Sequence, residues 1–306
     1  MMKNNLFKVD ESEANTRLDV YLTEIFREYS RTKIQNLIKT GKVSVNGKIA
    51  KPSLTLNIDD EILCSDFDSE DRILPENITV DVVYETDNYA VINKPSGMLS
   101  HPTSKEKTGT LVNALLYKYG DNLSDVNGCY RRGILHRLDK NTSGLLIIAK
   151  TNEAHNYFAE MIKNRQVEKH YRTIVKGNIY ENLVIDSSIA RSKSNPSKMC
   201  VSKDGKESLT EISIIEQFDG YSYLDVNLKT GRTHQIRVHL SSIGHPVFND
   251  TLYGFGKMKI KTDEQVLQSY RLSFTDPFTS AGVELQIPPD DKICKVLDFL
   301  KKRSES

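Results

Sequence analysis

The sequence predicts an α+β chain: a small N-terminal module of two helices and a β-hairpin, then a larger domain around a mixed, mostly antiparallel central sheet. Three observations carry this. Helical periodicity opens the chain and is followed by an Asn-Gly turn between short strands. Beyond residue 80, strand-like and helical stretches mix without the strict alternation of a doubly wound fold. Near residue 60 a basic segment gives way to an acidic one. At 306 residues the chain is long enough for two domains and a substantial core.

Residues 1–13 read as a tail, and 14–62 as the first module. Leu18, Tyr21, Leu22, Ile25, Phe26 and Tyr29 follow the spacing of an amphipathic helix. Ser30 suits the N-cap of a second helix carrying Ile34, Leu37 and Ile38, and Gly41 suits its left-handed end. "VSVNGKIA" gives two strands about Asn46-Gly47. Between Asn15 and Lys51 stand eight Lys or Arg against three Asp or Glu. Arg31, Lys33, Lys42 and Lys48 fall around the second helix and the hairpin. Such charge suits a polyanionic partner, or is simply a solvated surface. Residues 63–79 read as an acidic linker, since Asp59 to Glu76 holds eight carboxylates against Arg72 alone.

The larger domain is expected over 80–302. "VDVVYE" and "YAVINK" read as strands closed by Pro95 and Gly97. "LVNALLYKYG" reads as a helix and "LLIIAK" as a central strand. Ala154, Phe158, Met161 and Ile162 have helical spacing. "HYRTIVKG" and "YSYLDVNLKT" are strand-like. Thr233 is placed to cap a helix with Ile236, Leu240 and Ile243 on one face, ended by Gly244. Ile293, Val296, Leu297 and Leu300 mark a final helix.

Several function classes lose support. No apolar run is long enough to span a membrane, and the first residues lack a secretory core. Cys64, Cys129, Cys200 and Cys294 lie far apart, which suits a reducing cytoplasm rather than a disulfide scaffold or zinc ribbon. Phosphate-binding glycine loops and a nucleophile elbow are missing, so no nucleotide cofactor is expected. His234 and His239 are five apart, about 140° around a helix, which makes no chelate, so no metal is expected.

Three constellations remain. In "GILHRLDKNTSGLLIIAK" Asp139 sits in a turn at the lip of a strand, with His136 and Arg137 as donors beside it. It is either a reactive carboxylate or a cap on backbone amides. Arg232 ends the strand "YLDVNL", where it can pair with a carboxylate on a neighbouring strand end. Tyr171, between Lys169 and Arg172, can stack a base or be an ordinary half-buried aromatic. The basic loop "ARSKSNPSKMCVSKDGKE" can clasp RNA or be a solvated hairpin.

In order, "INKPSGMLSHP", "GILHRLDKNTSGLLIIAKT", "VEKHYRTIVKG" and "LKTGRTHQIRVHLSSIGHPVFNDTLYG" resemble the RluA/RluC/RluD-type family of RNA pseudouridine synthases. The segment "TRLDVYL" through "DDEI" resembles the small RNA-binding domain first named in the fourth protein of the small ribosomal subunit. The resemblance implies a cofactor-free isomerase that flips a uridine out of its stack. It implies Asp139 as the catalytic aspartate, Arg232 as its ion-pair partner and Tyr171 against the uracil. Arg137 would enter the gap left by the flipped nucleotide, and Leu272 would lie beneath the base. Large-subunit rRNA is the implied substrate, and a cytoplasmic monomer the expected state. A non-catalytic RNA-binding or ribosome-assembly protein on the same fold is the alternative. One stretch departs from the pattern: in "LQSYRLSFTDP", Gln268, Ser269 and Asp276 replace the family's His, Ala and His.

Overall fold

The computed structural model describes residues 4–11, 13–26, 29, 31–65, 73–103, 105–254 and 264–304. Ser30, Arg27, Glu28 and residues 66–72 of the expected linker lie outside the described residues.

The N-terminal module packs helices α1 (Leu18–Ile25) and α2 (Arg31–Lys39) on a small antiparallel sheet. Its strands are β1 (Asn4–Lys8), β2 (Val43–Val45), β3 (Lys48–Ile49) and β4 (Glu61–Ser65), in the order β1-β4-β2-β3. Leu18, Leu22, Ile34 and Ile38 are fully buried against Val43, Ile62 and Cys64. Asn46 and Gly47 have φ of 51° and 72°, the left-handed pair that a tight hairpin demands. Two expected boundaries move. The tail over 1–13 contains β1, and the linker from 63 begins inside β4, because β1 and β4 pair from Asn4↔Ser65 to Lys8↔Glu61. Long-range pairing, invisible to local pattern, is the cause.

In chain order the larger domain continues with β5 (Asp81–Glu85), β6 (Tyr89–Lys94), α3 (Leu111–Tyr119), β7 (Ser143–Ala149), α4 (Asn152–Lys163) and β8 (Glu168–Lys176). Then come β9 (Leu183–Asp186), β10 (Ile189–Arg191), β11 (Met199–Val201), β12 (Leu209–Phe218) and β13 (Tyr221–Leu228). It ends with α5 (Gln235–Ser242), β14 (Leu267–Thr275), β15 (Gly282–Gln286) and α6 (Asp291–Ser304). Its main sheet runs β5-β6-β7-β14-β8-β13-β12-β9, with β15 on β14. Among the described residues only β7 and β14 pair in parallel; the rest is antiparallel, as the sequence predicts. β10 and β11 form a separate hairpin.

Two details set the site. Every residue of β7 is buried, as befits an uninterrupted apolar run in mid-sheet. Gly144 has φ of 114°, and a Cβ there would collide with the backbone of Ser269. Only glycine lets β14 approach so closely. The β7–β14 pairing covers just Ser143 and Gly144. Farther along β7, the segment before Asp139 takes over: Ile134 bridges Ile148, and Ala149 N–H donates to the Gly133 carbonyl.

Candidate active site

Asp139 lies in the turn that leads into β7, and the Thr142 N–H donates to its carbonyl. The turn is fastened from below. Ser100 Oγ donates to the Leu138 carbonyl, Ser96 Oγ to that of Asn141, and Lys94 Nζ to those of Lys140, Pro95 and Met98. From α6, Lys292 Nζ also donates to the Asn141 carbonyl. Lys94 is fully buried, and burial pushes its ammonium down to about 7. The turn is thus held by hydroxyls and ammoniums around it, and Asp139 lines the cavity.

That cavity is about 590 Å³ and is lined by the 134–139 segment, Tyr171, the start of α5 and Leu267. Eight Lys or Arg also line it (Arg131, Arg137, Lys163, Arg165, Lys169, Lys229, Arg232 and Arg237) against one carboxylate, Asp139. Such a basin concentrates a polyanion.

The ion-pair partner of Asp139 is Arg237, not Arg232. Arg237 Nη1 donates to Asp139 Oδ2 at 3.0 Å. Its Nε and Nη2 bind both oxygens of fully buried Asp250, at 2.7 and 2.9 Å. Burial disfavours its charge, but Asp250 and then Asp139 outweigh that and hold the guanidinium firmly protonated. Asp250 also accepts from the Leu252 and Tyr253 N–H groups, so it is saturated. Arg232 is exposed and turns its Nε to the Glu207 carbonyl. The reason is local. Arg232 precedes α5, whose first turn is clamped by Gln235: its Oε1 accepts from the Arg232 N–H and from Thr230 Oγ1. Arg237 sits inside the helix, on the face that meets Asp139 and Asp250. Thr233 does not cap α5 either; the position before the helix is His234, at φ of 56°. The stretch "RTHQIRVH" holds both arginines, and only the helix register tells them apart.

The other expected residues divide. Tyr171 is buried on β8 and lines the cavity, and burial raises its hydroxyl pKa, with Asp139 adding to the rise. Arg137 is exposed at the rim, where its Nη1 donates to His101 Nε2 at 3.1 Å. His136, expected as a donor, accepts at Nε2 from the Ile147 N–H. Burial, with Lys169 nearby, pushes its imidazole down to about 3. Leu272 does not line the cavity. Beyond a bulge between Ser269 and Arg271, β14 carries it into a cluster with Tyr89, Phe158 and Phe274, fully buried. Leu267, five residues earlier, is the β14 leucine that lines the cavity.

The three departures have structural roles. Gln268 links the Pro288 carbonyl and the Asp290 N–H, and Ser269 Oγ donates to the Leu145 carbonyl. Asp276 accepts from Tyr89 Oη at 2.6 Å and from the Phe278 and Thr279 N–H groups. The two histidines around α5 point apart. His239 meets Thr210 Oγ1 and the Ser187 carbonyl, while His234 meets Tyr253 Oη and stands 4.0 Å from Asp139. Among the described residues no group of three His, Cys, Asp or Glu is placed to hold a metal ion.

In the first module Arg31 has a partner that sequence reasoning missed. Its Nε and Nη2 donate to fully buried Asp19, which also accepts from Arg17 and Gln35. Burial works to raise that carboxyl, but Arg17, Gln35 and Arg31 overcome it and hold it well below the usual range. Arg31 therefore joins α1 to α2, with half its side chain still exposed. Of the other expected cations, Lys48 is exposed and Lys33 and Lys42 are half-buried.

Residues 88–242, just over half the chain, match the RNA pseudouridylate synthase family model, and 16–62 match the S4 domain. The chain belongs to the RNA pseudouridylate synthase family. It is therefore an isomerase acting on RNA, with an S4 module in front. This synthase is 40% identical to ribosomal large subunit pseudouridine synthase D of Yersinia pestis over 312 residues, covering 97% of its own length and 94% of the relative. It is 38% identical to an uncharacterized RNA pseudouridine synthase of Aquifex aeolicus, covering 97% of both chains. In fold the synthase is similar to human RNA pseudouridylate synthase domain containing 1, with a TM-score of 0.57 at 24% identity, over 74% of this chain and 96% of that one.

Proposed function

We propose that the synthase isomerises uridine to pseudouridine in large-subunit rRNA, with Asp139 as the catalytic group. The observation that carries this is the Asp139–Arg237 pair at the floor of a basic cavity beside Tyr171. Several relatives are named for the large ribosomal subunit, which supports that choice of substrate here. The reaction breaks the bond from sugar carbon 1′ to ring nitrogen 1 and joins the sugar to ring carbon 5. The carbon-5 proton leaves and nitrogen 1 gains one, so electrons balance without a cofactor. A flipped base packs on Tyr171. Asp139 then acts on the sugar, the ring or a proton, with Arg237 as its counter-charge. Arg137, at the rim, fills the gap in the stack. A hydrolytic glycosidase reading needs a second available carboxylate, and Asp250, bound by four donors, is not one. A cytoplasmic monomer goes with this reading, and the four unbridged thiols suit a reducing compartment. No helix among the described residues is long and apolar enough to cross a membrane.

The test uses rRNA labelled with tritium at uridine carbon 5. Wild type releases tritium and forms pseudouridine. Asp139→Asn loses the reaction by on the order of a thousandfold or more, while RNA affinity and folding persist. An active Asp139→Asn protein would refute the assignment. Mapping pseudouridines in a deletion strain names the nucleotide.

A further inference from the structure

Lys169 has no part in the arrangement described so far. It precedes Tyr171 by two on β8, so both side chains project to the same side of the strand. Both line the cavity. Lys169 is only 6% exposed, and among the described residues no hydrogen bond or ion pair meets its ammonium. Lys94 makes the contrast plain: also buried, it donates to three carbonyls. Burial lowers the pKa of Lys169, and its other electrostatic neighbour, His136, is itself pushed toward the neutral form.

A largely buried ammonium that meets no protein acceptor and opens only to the cavity is poorly compensated, so an anion entering the cavity is its natural partner. Among the described residues the protein supplies none, because the one carboxylate lining the cavity, Asp139, is paired with Arg237. Lys163 and Arg165 line the same cavity from the α4–β8 connection and add to its positive field. We propose that Lys169 receives a backbone phosphate of the nucleotide whose base packs on Tyr171. This rests on the reading of the cavity as the uridine site. A uracil carbonyl carries no net charge and would leave the ammonium uncompensated. A phosphate neutralises it, one nucleotide's reach from the base.

The test uses short RNA fragments carrying the modified uridine, with an ordinary linkage or a single uncharged methylphosphonate 5′ or 3′ of it. Kd is measured for wild type, Lys169→Met and Lys169→Arg. On the ordinary fragment Lys169→Met should weaken binding about tenfold or more, with Lys169→Arg restoring most of it. The slope of log K against log salt should fall by about 0.7. On one of the two methylphosphonate fragments, wild type and Lys169→Met should bind equally, because the partner is already gone. Equal loss on all three fragments, or an unchanged Kd on the ordinary one, overturns the proposal. Should Lys169→Met unfold, Lys169→Gln and the wild-type response to each neutral linkage carry the same comparison. Tritium release by wild type on the ordinary fragment reads the uridine assignment separately, so either can fail without the other.

Discussion

One guanidinium holds two carboxylates at the centre of this site, and the two are not equivalent. Asp250 binds Arg237 through both oxygens and is fully buried; Asp139 takes a single N–H and keeps access to the cavity. Asp250 thus aims the arginine, and the arginine aims Asp139. Arg237→Lys keeps the charge but loses the fork, since an ammonium cannot bind Asp250 through two parallel bonds and still reach Asp139. Its kcat should fall by on the order of a hundredfold or more, and stability should fall too, because truncating one member of a buried pair strands the other. Arg232→Ala, by contrast, should keep kcat within a few-fold and act mainly on RNA affinity. Single-turnover rates and melting curves of the two variants decide between them, and a larger kcat loss at Arg232 would reverse their roles. The expected helix start already places Arg232 before α5 and Arg237 within it; what the sequence does not show is that the face of α5 carrying Arg237 is the one that meets Asp139.

At the level of elements, much was legible. The helical spacing, the Asn46-Gly47 turn and the apolar run of β7 each reported their structure, because local backbone preference and one-sided burial agree there. What stayed hidden depends on pairing between distant residues: β1 with β4, the bulge that carries Leu272 away, and the sharing of β7 between β14 and the 134–136 segment. That last joint has a pH consequence. His136 must be neutral at Nε2 to accept the Ile147 N–H, and its pKa of about 3 lies below the 6.5 of an unfolded histidine. A lowered folded value means the unfolded chain takes up the proton first. Stability should therefore fall as pH drops from about 6.5 toward 3, by up to ~1.4 kcal/mol per pH unit for this group. His136→Gln, which can still accept that bond, should flatten the acid limb of a denaturation series; an unchanged slope would remove His136 as its source.

At the scale of the whole molecule, charge is divided rather than absent. The formal net charge is +1, yet the cavity and the 15–51 stretch of the first module are both basic. Deleting residues 1–65, the unit closed by β4, should leave the isomerase site intact but weaken rRNA binding. The log K against log salt slope should decrease by roughly 0.7–0.9 for each phosphate that the module neutralises. Binding titrations at several salt concentrations measure it, and an unchanged slope would deny the module a phosphate-binding role. The sheet order adds a constraint of a different kind. β14 lies between β7 and β8 although it follows them by about a hundred residues, and Gly144 leaves it just enough room. β14 is thus the strand that joins the two halves of the sheet, the one whose turn carries Asp139 and the one that carries Tyr171. A chain cut before Leu267 would keep Asp139, Tyr171 and Arg237 but lose that joint, so it should release no tritium from labelled rRNA; an active truncation would show that the halves can align without it.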